Sequence, residues 1–465
     1  MKLLASLTPL LAASVLFAAE PARPNILWLI GEDISPDLGC YGNRDARTPN
    51  LDRLASQGRL YRHAYSTAPV CSPSRSAFCT GMYQIAFAAH HHRSHRDDGY
   101  KPPAGIRVIS DRLREAGYFT ANVTQFPASA GFRGTGKTDW NFCYDGKPYD
   151  SAKWNDLKSH QPFYAQVNFQ ETHRIYKKAA QNPTDPAKVT LPPYLPDHPI
   201  AREDWALYHD SMIMLDAKVG AVLDLLEKDG LRDNTIVFFF GDNGRECFRG
   251  KCTAYEAGCA VPLMVRWPAL CPPGSSSDEL VSLIDVTATT LALAGVALPK
   301  EMHGQPFLGP GAKRREFIFT ARDRLDESLD RTRTVRDARF KLIRNFEPQR
   351  PYIQPMPYLD RTNPNYALMR QRQAEGKLNA AQMKFMAASR PAEELYDLQN
   401  DPFELKNLAE SPEHRETLAR LRAALDRWIE QTNDSGRIPE DPDVRRRILD
   451  EHKKKLEQSA GKGKR

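Results

Sequence analysis

The stretch Cys71–Gly81 places a cysteine close to a proline and an arginine, a combination suited to chemistry. Pro73 fixes its own φ and restricts Ser72, so the turn that presents Cys71 is stiff. Arg75 supplies a permanent cation with forked donors, which suits an oxyanion or negative charge that develops near position 71. The alternative is a buried thiol or half of a disulfide. The stretch therefore predicts a nucleophile, with a structural cysteine as the competing interpretation.

Two pairs of polar residues follow predicted strands at their carboxyl ends. Glu32 and Asp33 come directly after one apolar run, and Asp242 and Asn243 come after a Phe-rich run and a glycine. In open α/β sheets that edge is where ligands bind. Gathered hard oxygen ligands suit calcium or magnesium. A single acid there would more often cap a helix, but two pairs that flank Cys71 favour a cation site.

Four further stretches carry lysines or histidines. Lys251 lies in Gly-Lys-Cys-Thr-Ala-Tyr-Glu-Ala-Gly, and Lys137 lies in Gly-Lys-Thr-Asp. His173 follows the apolar run 163–169, and His92 belongs to a His-His-His-Arg cluster downstream of the cysteine. A lone histidine at a strand end is ordinarily a surface or hydrogen-bonded residue. These residues are candidates for the site because of the order in which they occur along the chain.

These motifs, in this order, resemble the formylglycine-dependent type I sulfatases. Cys71-Ser72-Pro73-Ser74-Arg75 matches the family signature, whose Cys is oxidised after synthesis to an aldehyde that becomes the nucleophile. The resemblance spans roughly Pro24 to Arg344. It implies an alkaline-phosphatase-like fold, one divalent cation, commonly Ca²⁺, and formylglycine derived from Cys71.

The resemblance also implies a role for each matching residue. The catalytic residues it predicts are Cys71, Arg75, Lys137, Asp139, His173 and Lys251. The metal ligands it predicts are Glu32, Asp33, Cys71, Asp242 and Asn243. We expect substrate contacts from His92, Arg93, Asp323 and Arg324.

Three positions depart from the family pattern. Cys79 replaces a Leu, and we expect it to pack as a small buried hydrophobe. Glu32 replaces an Asp, and its longer arm changes the ligand geometry. Asp139 stands where the family has a His that takes a proton from the formylglycine hydrate as sulfate leaves. A carboxylate could take that proton, or the task belongs to another residue.

The elements that must position these residues alternate between strand and helix along the first 340 residues. Continuous apolar runs at 25–30, 163–169 and 235–240 are typical of strands buried on both faces. The stretches 48–58, 108–117 and 204–229 have helical spacing and stop signals. This alternation predicts an α/β fold, a mostly parallel sheet flanked by helices.

The chain divides into four predicted segments. Met1-Lys2 and the apolar run to Ala19 are typical of a signal peptide, too short for a stable membrane span. We expect a catalytic domain at 20–340, a smaller α+β subdomain with an antiparallel sheet at 341–440, and a charged tail at 441–465. The prediction is therefore an exported protein, periplasmic or secreted, that does not span the membrane.

Composition narrows the function classes. The chain has 465 residues, a net charge of +7 and 26% charged residues, as in an ordinary soluble protein. Much of the basic surplus lies in the tail, so no nucleic-acid partner is expected. Eight cysteines in a chain of this length do not make a disulfide scaffold. We expect mostly unpaired thiols, although one bridge among Cys247, Cys252 and Cys259 stays open.

The predicted function is a sulfatase that removes sulfate ester or N-sulfate groups from a sulfated carbohydrate. Arg322-Asp323-Arg324 and the stretch 339–352 are similar to the part of N-sulfoglucosamine sulfohydrolase-like enzymes that borders the substrate. This resemblance implies a glycan substrate, such as a glycosaminoglycan. A formylglycine-generating maturation enzyme is the implied partner. The alternatives are a phosphoester or phosphonate hydrolase of the same superfamily and a noncatalytic, cation-dependent glycan-binding protein.

Overall fold

A large, mostly parallel sheet forms the centre of the computed structural model, which describes residues 23–462 apart from the side chains of 452 and 455–462. Residues 1–19, the predicted signal peptide, lie outside that range. The strands are β1 (Asn25–Gly31), β2 (Arg59–Tyr65), β3 (Phe119–Gln125), β4 (Ser151–Lys153), β5 (Phe163–Phe169), β6 (Thr235–Gly241), β7 (Ala260–Arg266) and β8 (Ser275–Ser282). Their order is β4-β3-β5-β1-β6-β7-β2-β8. Only β7 runs antiparallel to its neighbours β6 and β2 among these strands.

Helices cover both faces of this sheet, and others lie in the C-terminal part of the chain. They are α1 (Pro49–Ser56), α2 (Cys71–Thr80), α3 (Ile109–Glu115), α4 (Pro199–Lys228), α5 (Glu256–Cys259), α6 (Leu283–Leu293), α7 (Pro357–Thr362), α8 (Pro364–Ala374), α9 (Ala380–Lys384), α10 (Arg415–Gln431) and α11 (Pro442–Lys462). Alternate residues of β1 point to opposite faces. Leu27 and Leu29 join the core under α1 and α4, whereas Trp28 joins the core under α2, α3 and α6. The predicted α/β fold class is confirmed.

A second, smaller sheet lies toward the C-terminus. Its strands are β9 (Ile318–Arg322), β10 (Thr332–Arg336), β11 (Phe340–Asn345) and β12 (Glu393–Asp397), in the order β12-β11-β10-β9 and all antiparallel. Leu421 and Leu425 of α10 share a core with Val335 and Leu342 of this sheet. Two of its strands precede residue 341, so the sheet starts earlier along the chain than the boundary predicted there. The division into domains stays a prediction.

The cysteines are all free thiols, including Cys247, Cys252 and Cys259. Cys79 is 3% exposed and packs in the core beneath α2, as expected of a small hydrophobe. Within residues 23–462, no helix combines the length and the apolar character that crossing a membrane requires.

The carboxyl ends of β1, β5 and β6 coincide. Gly31 pairs with Phe169 on one side and with Gly241 on the other. A Cβ on Gly241 would lie 2.7 Å from the carbonyl oxygen of Ile34, so the chain after β1 can cross this point only beside a glycine. The residues that follow Gly31 and Gly241 are therefore brought side by side.

Candidate active site

The four polar residues predicted at the strand ends converge. The amide of Asp242 donates to Gly31 O at 3.0 Å, which continues the pairing of β6 with β1. The amide of Asp33 donates to Asp242 Oδ1 at 3.0 Å, and Asn243 Nδ2 donates to Asp33 Oδ1 at 2.9 Å. Glu32 is equally buried beside them. The structure thus brings the predicted ligands of the two strand ends together.

This oxygen cluster has the chemistry of a hard-cation site. Asn243 Oδ1 is buried, and within the described residues it accepts no hydrogen bond. A buried carbonyl-type oxygen beside carboxylates is the environment that Ca²⁺ or Mg²⁺ satisfies. Burial raises the pKa of Asp242, although the Arg75 charge opposes this. Burial also disfavours ionised Asp33, but the charges of Lys251 and His173 outweigh it and lower the pKa of Asp33 to about 2.

Cys71 lies beside this cluster as the first residue of α2, and it is 3% exposed. The N-terminus of a helix favours negative charge. Ser74 Oγ donates to Asp242 O at 2.5 Å, and Arg75 Nε donates to Asp242 Oδ2 at 2.9 Å. Arg75 Nη1 also donates to Asn168 Oδ1 at 2.8 Å. These bonds fix the start of α2 over the ends of β5 and β6.

Two lysines, the half-buried Lys137 and the buried Lys251, complete the positive side of the site. Lys137 Nζ donates to Glu32 Oε2 at 2.9 Å, and Lys251 Nζ donates to Asp33 Oδ2 at 2.7 Å. Burial works against the charged form of each lysine. Interactions with Cys71 and Glu32 nevertheless raise the pKa of Lys137, and interactions with Asp33 and Cys71 raise the pKa of Lys251. Both lysines therefore carry a positive charge beside position 71.

His173 lies at the rim of the cluster. Its Nε2 is 3.9 Å from Asp33 Oδ2, and its side chain is 29% exposed. Glu246 lies on the same side, and ligand atoms of Asp33, His173 and Glu246 all lie within 4.8 Å of one another. Burial raises the pKa of Glu246, which accepts a hydrogen bond from Tyr358 OH at 3.1 Å. The sequence analysis missed Glu246, although its place three residues after Asn243 was a usable signal.

Asp139 is held between two cations. Arg96 Nη2 pairs with its Oδ1, and Lys137 Nζ lies 3.6 Å from its Oδ2. The residue has a φ of 55°, in the left-handed region that non-glycine residues seldom occupy. The sequence analysis missed Arg96, for which no local motif provides a signal.

The histidine cluster after α2 reaches the cysteine through His92. His92 Nε2 lies 3.9 Å from Cys71 Sγ, and His92 Nδ1 lies 2.9 Å from Asp326 Oδ1. Burial lowers the pKa of His92 to about 3, so its ring is neutral at physiological pH. The amide of Arg93 donates to Ser72 Oγ at 3.1 Å, and its guanidinium lies 3.7 Å from Asp326 Oδ1. No local motif points to Asp326, which lies 234 positions from His92 along the chain.

Asp323 and Arg324, both predicted to contact substrate, are buried in ion-pair networks. Asp323 Oδ1 accepts from Arg333 Nη2 at 2.9 Å. Arg324 Nη2 donates to Glu440 Oε1 at 2.7 Å and to the carbonyl of His92 at 3.1 Å. Arg324 therefore links the histidine cluster to the C-terminal segment that carries Glu440, and Asp323 is held by Arg333 of β10. Their contact with substrate stays a prediction.

The fold and the site together define an α/β protein whose buried acidic and cationic groups meet at the carboxyl edge of a mostly parallel sheet. The chain belongs to the sulfatase family. The family model described as Sulfatase matches residues 24–296, and the model described as N-sulphoglucosamine sulphohydrolase, C-terminal, matches residues 244–353.

Individual relatives cover most of the chain. It is 37% identical over 472 aligned positions to an ulvan-active sulfatase from Formosa agariphila, covering 90% of this chain and 77% of the relative. It is 26% identical to the human N-sulphoglucosamine sulphohydrolase, covering 89% of this chain and 91% of that one. Among solved structures, a 2-O GAG sulfatase superposes with a TM-score of 0.65 at 19% identity, covering 91% of this chain and 96% of that one. At 19% identity, the similarity to this solved structure shows a shared fold.

Proposed function

We propose that this sulfatase-family enzyme hydrolyses sulfate ester or N-sulfate groups of a sulfated carbohydrate, with formylglycine at position 71 and one Ca²⁺ ion. One observation carries the proposal: buried Cys71 starts α2 directly over the oxygen cluster of Asp33, Asp242 and Asn243. A structural cysteine would not require paired acids and several buried cations around it.

The site residues fit the two absent groups. Glu32, Asp33, Asp242 and Asn243 would hold the cation, because they are oxygen donors and one of the oxygens lacks a partner within residues 23–462. When both groups are bound, the hydrated aldehyde supplies an oxygen nucleophile and the cation lowers the pKa of its hydroxyl. These assignments are proposals for this chain.

The protein side chains supply the remaining chemistry. Arg75, Lys137 and Lys251 offer positive charge to the sulfate oxygens, where fixed cations act most strongly. Arg75 Nη2 is buried and makes no hydrogen bond within the described part of the chain, so one donor remains for an anion. His173, at the exposed rim, or Lys251 gives a proton to the leaving oxygen.

The carbohydrate substrate is proposed from the relatives. The proteins matched above carry names that refer to ulvan, to sulphoglucosamine and to a GAG. The half-exposed guanidinium of Arg93, 34% exposed beside the cysteine, is placed to meet an anionic sugar. We also propose that the chain is exported by the segment 1–19 and matured by a formylglycine-generating enzyme.

The test combines mass spectrometry with a substrate screen. The protein is expressed with and without the maturation enzyme, and the mass of the peptide that contains Cys71 is measured. We expect the aldehyde mass only with maturation, and release of sulfate from ulvan oligosaccharides, glucosamine N-sulfate or N-acetylgalactosamine 6-sulfate only by that form. Full activity with an intact thiol would refute the formylglycine assignment.

The same screen separates the competing functions. Matched phosphate and phosphonate esters are included, and faster turnover of these would favour the phosphoester or phosphonate hydrolase. Calcium-dependent binding of the oligosaccharides without turnover by matured protein would favour a noncatalytic glycan-binding protein. The variant Cys71→Ala is the control, since it removes the nucleophile and leaves the oxygen cluster in place.

A further inference from the structure

We propose that His92, positioned by Asp326, is the residue that accepts the proton when sulfate leaves position 71. The family histidine to which this step is ascribed is Asp139 in this chain. The inference rests on the proposed function and deepens it by assigning a catalytic residue that departs from the family motif.

Three residues lie in a row: position 71 carries the nucleophile, His92 is the base, and the Asp326 carboxylate orients the base. His92 Nε2 faces Cys71 Sγ at 3.9 Å, and His92 Nδ1 meets Asp326 Oδ1 at 2.9 Å. A carboxylate at Nδ1 keeps the hydrogen on that nitrogen, so the lone pair of Nε2 points toward position 71. The side chains of His92 and Asp326 are only 5% and 7% exposed, which limits competition from water.

Asp139 is poorly suited to the same task. Its Oδ1 pairs with Arg96, and its Oδ2 lies 3.6 Å from Lys137 Nζ. Both carboxylate oxygens of Asp139 are thus engaged by cations, and neither is free to take a proton from position 71. Asp139 instead holds Arg96 and Lys137 in place at the edge of the site.

The backbone that carries His92 is held from two sides. The amide of His92 donates to Arg324 O at 3.0 Å, and Arg324 Nη2 donates back to His92 O at 3.1 Å. The next amide, that of Arg93, donates to Ser72 Oγ at 3.1 Å, directly beside the cysteine. The ring is thus fixed relative to the start of α2, as a preorganised proton acceptor requires.

The proposed step balances without any further reactant. After transfer of the sulfo group, the carbon at position 71 bears one sulfated oxygen and one hydroxyl. The hydroxyl proton moves to His92 Nε2, and the O–H electron pair forms the C=O bond. The bond from carbon to the sulfated oxygen breaks, and sulfate leaves with the electron pair of that C–O bond. The aldehyde is regenerated, and His92 later returns its proton to water.

The experiment uses matured protein, with the aldehyde verified by mass, and the substrate from the screen that the wild type turns over. His92→Ala and His92→Gln are compared with wild type in rapid-mixing experiments. We expect one desulfated sugar per active site to be released in a burst. Steady turnover should then be slower by on the order of 10²- to 10⁴-fold. The intact mass should show enzyme heavier by one SO₃ group, a species that wild type does not accumulate.

Asp326→Asn tests the positioning role. It should accumulate the same sulfated enzyme with a smaller loss of turnover. Because only the step after sulfo transfer is slowed, kcat and KM should fall together and kcat/KM should stay unchanged. Added imidazole should speed sulfate release by His92→Ala but not by wild type, which a purely structural role would not explain. His91→Gln is the matched control from the same cluster, and it should not accumulate sulfated enzyme.

Two results would overturn the inference alone. One is accumulation of sulfated enzyme in Asp139→Asn but in neither His92 variant. The other is loss of the burst in both His92 variants while their unfolding temperatures match wild type, because that places His92 before sulfo transfer. A matured wild type that releases no sulfate from any substrate would instead overturn the proposed function, and this inference with it.

Discussion

Arg75 donates from Nε to Asp242 Oδ2 at 2.9 Å, and the two side chains are 2% and 0% exposed. This buried pair links the helix that begins at Cys71 to the strand end that carries the oxygen cluster. The two halves of the proposed site, nucleophile and cation ligands, are therefore one electrostatic unit.

Removal of this arginine should destabilise the whole domain. Arg75→Ala leaves Asp242 buried without its partner, and the free energy of unfolding should fall by about 3–5 kcal/mol. Denaturant unfolding followed by tryptophan fluorescence measures the change. Arg53→Ala removes an exposed pair with Asp224 and should cost at most about 1 kcal/mol. Equal losses in the two variants would contradict the assignment.

Calcium should stabilise the protein through Asn243. A ligand that binds only the folded state raises stability by about 2.7 kcal/mol at a hundredfold excess over Kd. We expect EDTA to lower the melting temperature and activity, and Ca²⁺ to restore both. Asn243→Ala should lose the calcium-dependent shift. Asn141→Ala is the control, since that buried amide bonds to the carbonyls of Ala89 and His91 instead. A calcium shift that survives in Asn243→Ala would contradict this site.

Acid should destabilise the protein through buried neutral histidines. Burial lowers the pKa of His303 to about 4, from 6.5 in the unfolded chain. Between these values the unfolded state binds more protons, so stability is present above about pH 6.5 and is lost as pH falls toward 4. Burial raises the pKa of Glu256 to about 7, which gives the opposite slope in that window. Because these two groups act in opposite directions, the contribution of His303 is measured as the difference in pH dependence of stability between wild type and a His303 variant.

His303→Gln keeps an acceptor for the amide of Tyr83, which donates to His303 Nδ1 at 3.2 Å. The slope of unfolding free energy against pH should become smaller by up to about 1.4 kcal/mol per pH unit below pH 6. Urea unfolding at intervals from pH 7 to pH 4.5 measures it. Parallel curves for wild type and variant would refute the prediction.

Gly244 should be irreplaceable because of close packing. A Cβ there would lie 2.2 Å from Ala257 O, and the Gly244 amide donates to Gly258 O at 3.0 Å to close the loop that carries Lys251. Gly244→Ala should displace Lys251 and lower kcat/KM by on the order of 10²-fold. The control Gly376→Ala has a φ of 67° and no atom within 4 Å of the added Cβ, so only backbone strain of about 1–2 kcal/mol is expected. Unchanged kcat/KM in Gly244→Ala would count against the role of this loop.

Local sequence was sufficient for the fold class and for the groups at the strand ends. Buried strands are continuous apolar runs, and parallel strands share one carboxyl edge, so Asp33 and Asp242 were expected at the same edge. That β1 and β6 are neighbours came from the structure. The Cys71 stretch carried its own signal, because a Cys with Pro and Arg at fixed spacing is a local property. Cys79 was predicted as a core residue for the same reason. The helix that begins at Cys71, where a turn was predicted, came only from the structure.

Only the tertiary structure decided which distant side chains share the site. Asp326 reaches His92 across 234 positions, and Tyr358 reaches Glu246 across 112. It also placed β9 and β10 in the small sheet and buried Asp323 against Arg333. Periodicity and spacing specify the elements and their ends. Contacts between separate loops depend on the paths that those loops take over the packed core, and no pattern within one segment contains that information.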